Sequence, residues 1–176
     1  LFGDALAIKN IKNFAHRDYI RQTFKGKPGL SDTPSKSSIT GKAIVGVADA
    51  VMDESGKVLG GVGMAYAIDG LMENYINNIH LGKTGYPFIV APTGVMVGHP
   101  DSERVLKDVS KEVGIAQVLA TPSGVETFTI GGVEKMLAWD LVPGWNWKIV
   151  ITVDRAEIEA SASSQRNLMV GAGFVA

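Results

Sequence analysis

Few side chains in this sequence combine in a way that could do chemistry. Arg17, in Ala15-His16-Arg17-Asp18-Tyr19, is one, because a guanidinium fork holds a carboxylate through two parallel hydrogen bonds. Read without context, it is equally an exposed surface arginine. Asp49 lies inside an apolar strand pattern on the side of Val45, Val47 and Val51, where an acid needs a partner or water. It reads as an ion-pair mate for Arg17, a ligand contact or an edge residue. His16, His80 and His99 fall at no metal-ligand spacing and read as ordinary surface or structural histidines, so no metal is expected. With no cysteine, thiol nucleophiles, disulfides and iron–sulfur ligation are excluded. No nucleophile elbow, P-loop, dinucleotide fingerprint or H-E-x-x-H is present. Asp53, Glu54 and Asp101 are turn acids without an evident partner. These features favour binding over catalysis, and no cofactor is expected.

The segment Lys57 to Ala67 carries an unusual face. Leu59, Gly61, Gly63, Ala65 and Ala67 alternate to one side, against Val58, Val62, Met64 and Tyr66. Small side chains on an inward face leave volume that something must fill. Two occupants fit: a closely approaching helix, or a small molecule held over the sheet.

The elements that would position these groups follow from pattern. Asn13 to Lys25 predicts a short helix ended by Gly26-Lys27-Pro28-Gly29, and Leu30 to Thr40 an irregular strand or loop. Lys42 to Met52 and Lys57 to Ala67 predict a hairpin around Asp53-Glu54-Ser55-Gly56. A helix then opens at Ile68-Asp69, with Asp69 as its cap and Leu71, Tyr75 and Ile79 as its apolar stripe. Tyr86 to Val90 and Val95 to Gly98 form a second hairpin, and a helix spans Ile115 to Leu119. Val125 to Ile130, Lys135 to Leu141 and Trp145 to Val153 are strands. The last alternates, with Trp145, Trp147, Ile149, Ile151 and Val153 assigned to the core face. Asp154 and Glu157 predict a capping box opening a final helix. Strand, turn, strand, helix thus occurs twice, which gives an α+β antiparallel class.

Composition agrees with a globular chain. Hydrophobic residues are 45%, charged residues 20%, and 17 basic against 18 acidic residues give a formal charge of −1, so no field exists to hold nucleic acid. The 21 glycines fit strands and turns better than a helical bundle. The chain opens on Leu1 and is expected to be a fragment or a processed chain. Leu168 to Ala176 is apolar and too short to span a bilayer, which needs about 20 residues. It is either a packed tail or the start of a membrane helix.

The run His16-Arg17-Asp18-Tyr19, Ser37-Ser38-Ile39-Thr40-Gly41-Lys42, Met52-Asp53-Glu54-Ser55-Gly56-Lys57, Leu81-Gly82-Lys83-Thr84-Gly85-Tyr86 and Gly98-His99-Pro100-Asp101 resembles the double Cache domain. That is the extracytoplasmic sensor of bacterial methyl-accepting chemotaxis proteins and related receptors. The resemblance runs from about Phe14 to Glu159 and implies two stacked PAS-like modules with antiparallel sheets. It places a membrane-distal, incomplete module at residues 1–80, a membrane-proximal one at 81–160, and a helix leading into a truncated membrane segment at 161–176. It implies a long N-terminal helix missing from this chain, makes Leu1 to Ile8 an early distal strand, and favours the membrane-helix reading of the tail.

In amino-acid-sensing members, an arginine grips the ligand carboxylate, a tryptophan packs on it, and acids hold the ammonium. By motif, Arg17 takes the arginine's place and Tyr19 the tryptophan's. The tyrosine and acid before the Thr-Gly step fall at Ser35 and Ser37, and the acid on the second hairpin strand falls at Ala65. With Asp49 these form the candidate ligand set. The resemblance therefore implies a small organic acid or similar anion rather than an amino acid. It implies a non-catalytic periplasmic receptor domain anchored in the inner membrane and a homodimer in the full receptor; the proximal module could bind a ligand too, but it shows no matching polar cluster and is expected to transmit. The alternatives are the ectodomain of a histidine kinase or diguanylate cyclase, or a small soluble enzyme on a PAS-like sheet.

Overall fold

Glycine and small side chains on the first long hairpin let other elements lie directly on it. The structure, a computed structural model, describes residues 15 and 17–172. The chain divides into two units, Leu1–Gly70 and Leu71–Ala176. The expected strand at Leu1 to Ile8 lies outside the described residues.

In the first unit, helix α1 (Asp18–Thr23) precedes two short strands, β1 (Gly29–Leu30) and β2 (Ser35–Lys36). These are two halves of one edge: β1 pairs with Ala48 and Val47, and β2 with Ile44 and Ala43, on the same side of β3 (Ala43–Met52). Between them the chain leaves the ladder at Ser31 to Pro34, tied back where the Ser31 N–H donates to the Gly46 carbonyl at 2.8 Å. On its other side β3 pairs with β4 (Val58–Ala67) from Ile44↔Ala67 to Met52↔Val58. The turn is closed by Asp53, whose carboxylate accepts from the Ser55 and Lys57 N–H groups at 2.9 Å each.

Helix α2 (Ile68–Leu71) already includes Asp69, the expected cap, and runs into a π-helical turn at Met72–Ile76. Asp69 is therefore not a cap. It sits in the first turn and accepts from the Lys42 ammonium at 2.7 Å, which holds its carboxyl below the ordinary range. The wider π turn also changes which side chains are covered. Ile68, Met72 and Ile76 are buried, whereas Tyr75 is 67% exposed.

The second unit is built on an antiparallel sheet that, among the described residues, has the order β6–β5–β9–β8–β7. Its strands are β5 (Tyr86–Val90), β6 (Met96–Gly98), β7 (Gly124–Ile130), β8 (Val133–Leu141) and β9 (Lys148–Asp154). Helix α3 (Ile115–Ala120) covers one face, where Phe88, Val90, Leu137, Trp139, Val150, Ile115 and Val118 form the core. The expected core face of β9 is covered, with Trp147 and Val153 buried, but it is not the only one. As the central strand it is covered on both sides, and the principal core takes Val150 with Lys148 and Thr152 beside it, not Ile149 and Ile151. Buried Lys148 satisfies its ammonium on the Pro122 carbonyl at 2.8 Å. Trp145 and Trp147 precede the strand in a turn, their ring centroids 4.1 Å apart.

The predicted capping box is also replaced. Helix α4 (Arg155–Ala172) starts after Asp154, whose carboxylate pairs with Lys135. Glu157 turns instead to the Gly82-Lys83-Thr84-Gly85 loop, accepting from the Lys83 N–H and from the Thr84 N–H and hydroxyl at 3.0 and 2.7 Å. Gly82, at φ +66°, has no Cβ because the Glu157 carboxylate occupies that place. Thr84 Oγ1 in turn accepts from the Asp154 N–H at 3.1 Å. The side chains of α4 after Ser163 lie outside the described residues, and no described helix is long and apolar enough to cross a membrane.

The Thr84 hydroxyl and the Lys83 and Thr84 N–H groups lower the Glu157 pKa from its ordinary 4.5. A lowered folded pKa gives stability that is complete above the unfolded value and is lost as pH falls through the folded one. Thermal melts of wild type and Glu157→Gln should therefore show a Tm gap that is full well above pH 4.5 and shrinks as pH falls below it. A gap independent of pH would show that the charge of Glu157 contributes nothing.

Candidate functional site

The first unit's cavity arises where α1 meets the break between β1 and β2. It has a volume of about 340 Å³ and is lined by Arg17, Asp18, Tyr19, Leu30, Ser31, Asp32, Thr33 and Ser35. Arg17 is the residue before α1, extended at φ −80°, ψ 132°, and its carbonyl accepts the helix's first bond from the Arg21 N–H at 3.1 Å. That conformation keeps its half-buried side chain off the helix axis and over the loop. Asp18, one residue on, instead pairs along the exposed helix with Arg21.

Tyr19 fixes the arrangement. Its ring lies on Gly46 of β3, where a Cβ would overlap the aromatic carbons. Thr23, one turn later, lies on Gly61 of β4, where a Cβ would be 2.7 Å from its Cγ2. The small-residue face is thus occupied by the helix at these two points, and the cavity opens beside it on the β1/β2 side. The Tyr19 hydroxyl accepts from Arg17 Nη1 at 3.5 Å, so a guanidinium and a phenol face the same space. Such a pair can donate to one carboxylate in concert.

Of the six residues singled out from sequence, Arg17, Tyr19 and Ser35 line this cavity. Ser35 is directly opposite Ile44 and so shares the face of Gly46. Ser37, Asp49 and Ala65 are placed elsewhere. Ser37 Oγ caps the following turn, accepting from the Ile39 and Thr40 N–H groups at 3.2 and 3.1 Å. Asp49 is exposed on the opposite face of β3, where its carboxylate accepts from the Ala50 N–H at 2.8 Å. Ala65, paired with Gly46, shares the helix face but lies on the β4 side of it, across β3 from the cavity. Asp32 was missed, because it belongs to the irregular excursion whose path no periodicity fixes. Among the described residues no cluster of three metal-ligating side chains forms.

An antiparallel sheet with a short helix laid on one face and a polar cavity at their junction is the architecture of a ligand-binding α+β module. The model of the Cache domain, dCache_1, matches residues 4–162, and the chain belongs to that family. It is 29% identical over 134 residues to the methyl-accepting chemotaxis protein McpG of Pseudomonas putida, an alignment covering 74% of this chain and 20% of that protein. The chain thus spans about a fifth of that relative's length. The ligand binding domain of the Pseudomonas aeruginosa amino acid chemoreceptor PctB in complex with L-Gln superposes with TM-score 0.68 at 20% identity, over 95% of this chain and 68% of that one. The extracellular domain of mmHK1S-Z2, described as a histidine kinase, gives TM-score 0.70 at 19% identity, over 84% and 58%. These two structures share the fold. The family and its chemotaxis relatives make this a sensor-type ligand-binding domain, and those relatives are receptors rather than enzymes.

If Tyr19 is seated by the missing Cβ of Gly46, Gly46→Ala should destabilise the chain by about 1–3 kcal/mol in urea unfolding followed by circular dichroism. In a Tyr19→Ala background the same change should cost far less. Equal costs in both backgrounds would mean that the ring does not rest there.

Proposed function

We propose that this chain is the extracytoplasmic sensor portion of a bacterial transmembrane chemoreceptor, and that its first unit recognises a small organic acid or similar anion through Arg17. The observation that carries the reading is the convergence of the Arg17 guanidinium, the Tyr19 hydroxyl and Ser35 on one cavity of about 340 Å³. Three donors of this kind suit a carboxylate, and charge-assisted bonds from a half-buried arginine are about twice as strong as neutral ones. Ser37 and Ala65, by family position, and Asp49, by its strand pattern, complete the candidate set, with roles the cavity does not require. Kinship with McpG supports the chemotaxis output, an inner-membrane receptor with this domain on the periplasmic side, and a homodimeric full-length protein. In that setting α4 leads toward the membrane, and ligand contacts that differ between two arrangements shift it. The likeness to the mmHK1S-Z2 extracellular domain supports a second output, a sensor kinase, on the fold alone.

One observation favours a second ligand class. Asp32 lines the same cavity as Arg17, so an ammonium has an acid to meet even though Ser35, Ser37 and Ala65 are not acids. An α-amino acid would then lie between Arg17 and Asp32, in keeping with the L-Gln complex of PctB.

Titration calorimetry with acetate, succinate, citrate, L-alanine and L-glutamine separates these readings. The anion reading expects a simple carboxylate to bind and Arg17→Ala to weaken it roughly tenfold to a hundredfold. Binding confined to the amino acids and abolished by Asp32→Asn replaces it with the second. Binding indifferent to Arg17→Ala removes this cavity from the function.

A further inference from the structure

The second unit holds a cavity of its own, about 360 Å³, on the core face of its sheet. Its floor is one register row: Tyr86, Thr152 and Leu137 stand side by side on β5, β9 and β8. Phe88, Met96 and Ile115 supply apolar walls. His99 backs the aromatic side, its ring centroid 5.3 Å from Tyr86 and 6.1 Å from Phe88. Burial, then the nearby Arg104 charge, lowers the His99 pKa from its ordinary value, and its Nδ1 accepts from the Asp101 N–H.

Two features of this cavity are unexplained by folding alone. Thr152 is 3% exposed, yet its hydroxyl has no hydrogen-bond partner. A buried hydroxyl without a partner costs on the order of 1–3 kcal/mol, and a valine would fill the same space without that cost. The rim is also cationic, with Arg104, Lys111 and Lys135 against Glu112. Arg104 pairs with Glu112 and Lys135 with Asp154, but Lys111 has no carboxylate within 4 Å among the described residues, Asp108 acting on it only from farther away.

We infer that the second unit is a separate binding site for a small monocarboxylic acid with a compact apolar body. The body lies against Phe88, Met96 and Ile115, and the one carboxylate accepts from both the Thr152 hydroxyl, which thereby gains its missing partner, and the Lys111 ammonium. The size suits the assignment, because small-molecule sites start at about 300 Å³ and combine apolar walls with a few convergent polar groups. The module in which the sequence shows no polar cluster for a ligand thereby becomes a second input beside the outgoing helix.

Benzoate and hexanoate are the probes, with benzamide as the neutral control, in amide NMR titrations of the whole chain. Benzoate or hexanoate should shift the amides around Thr152 and Phe88 and benzamide should not. Thr152→Val should weaken binding about fivefold while leaving the melting temperature equal or higher, a combination that structural damage does not give. Lys111→Gln should weaken it comparably, and Arg17→Ala should leave it unchanged. Three results would overturn the site: no shifts by about 10 mM acid, affinity unaltered in Thr152→Val, or binding lost in Arg17→Ala, which would place the acid in the first unit.

Discussion

The contact of the Tyr19 ring with the bare Cα of Gly46 is the constraint from which the first unit's site follows. Helix α1 spans only Asp18–Thr23, too short to be stable by its own hydrogen bonds, so its place is set by what it packs on. Gly46 admits the ring, Gly61 admits Thr23, and at Gly29 a Cβ would collide with the Tyr19 carbonyl. The helix consequently lies closer to the strands than any side chain on them would allow. Arg17, extended at the helix start, is carried over the Ser31 to Pro34 excursion rather than into water. The excursion exists because β1 and β2 pair with separate parts of one edge of β3. Packing, backbone geometry and a cavity with donors are thus one arrangement.

The second unit uses the same economy of backbone groups at its outgoing helix. Thr84 accepts from Asp154 while its N–H and hydroxyl, with the Lys83 N–H, hold Glu157. The first turn of α4 is therefore fastened to the loop before β5, whose strand forms the wall of the second cavity. A change in the floor at Tyr86 or Thr152 and a change in the seat of α4 share these few residues, which gives ligand binding there a short route to the helix.

The class of fold and most strand limits were legible in the sequence, because alternation and turn chemistry are local. The hairpin at Asp53-Glu54-Ser55-Gly56, the helix at Ile115 and the strand–turn–strand–helix echo all rest on such signals. Errors arose where tertiary partners compete with local ones. The Asp154–Glu157 spacing fits a capping box, but Glu157 finds three donors on a loop far away in sequence. The alternation in β9 finds one of two buried faces, because a central strand is covered on both sides, which also leaves Lys148 and Thr152 inside. Ser37, Asp49 and Ala65 were chosen by family position or strand pattern, which cannot tell on which side of β3 the cavity opens. Asp32 and the whole second cavity were invisible, since both depend on irregular segments.

The central claim is that the seated Tyr19 aims Arg17 at an anion. Its most direct test is the nitrogen-15 and proton signal of the Arg17 Nε–H group, followed as the tightest-binding carboxylate is added to saturation. The account predicts a large downfield proton shift and slowed exchange with water at Arg17, both lost in Gly46→Val, which would unseat the ring. An Arg17 signal unmoved at full occupancy would contradict it.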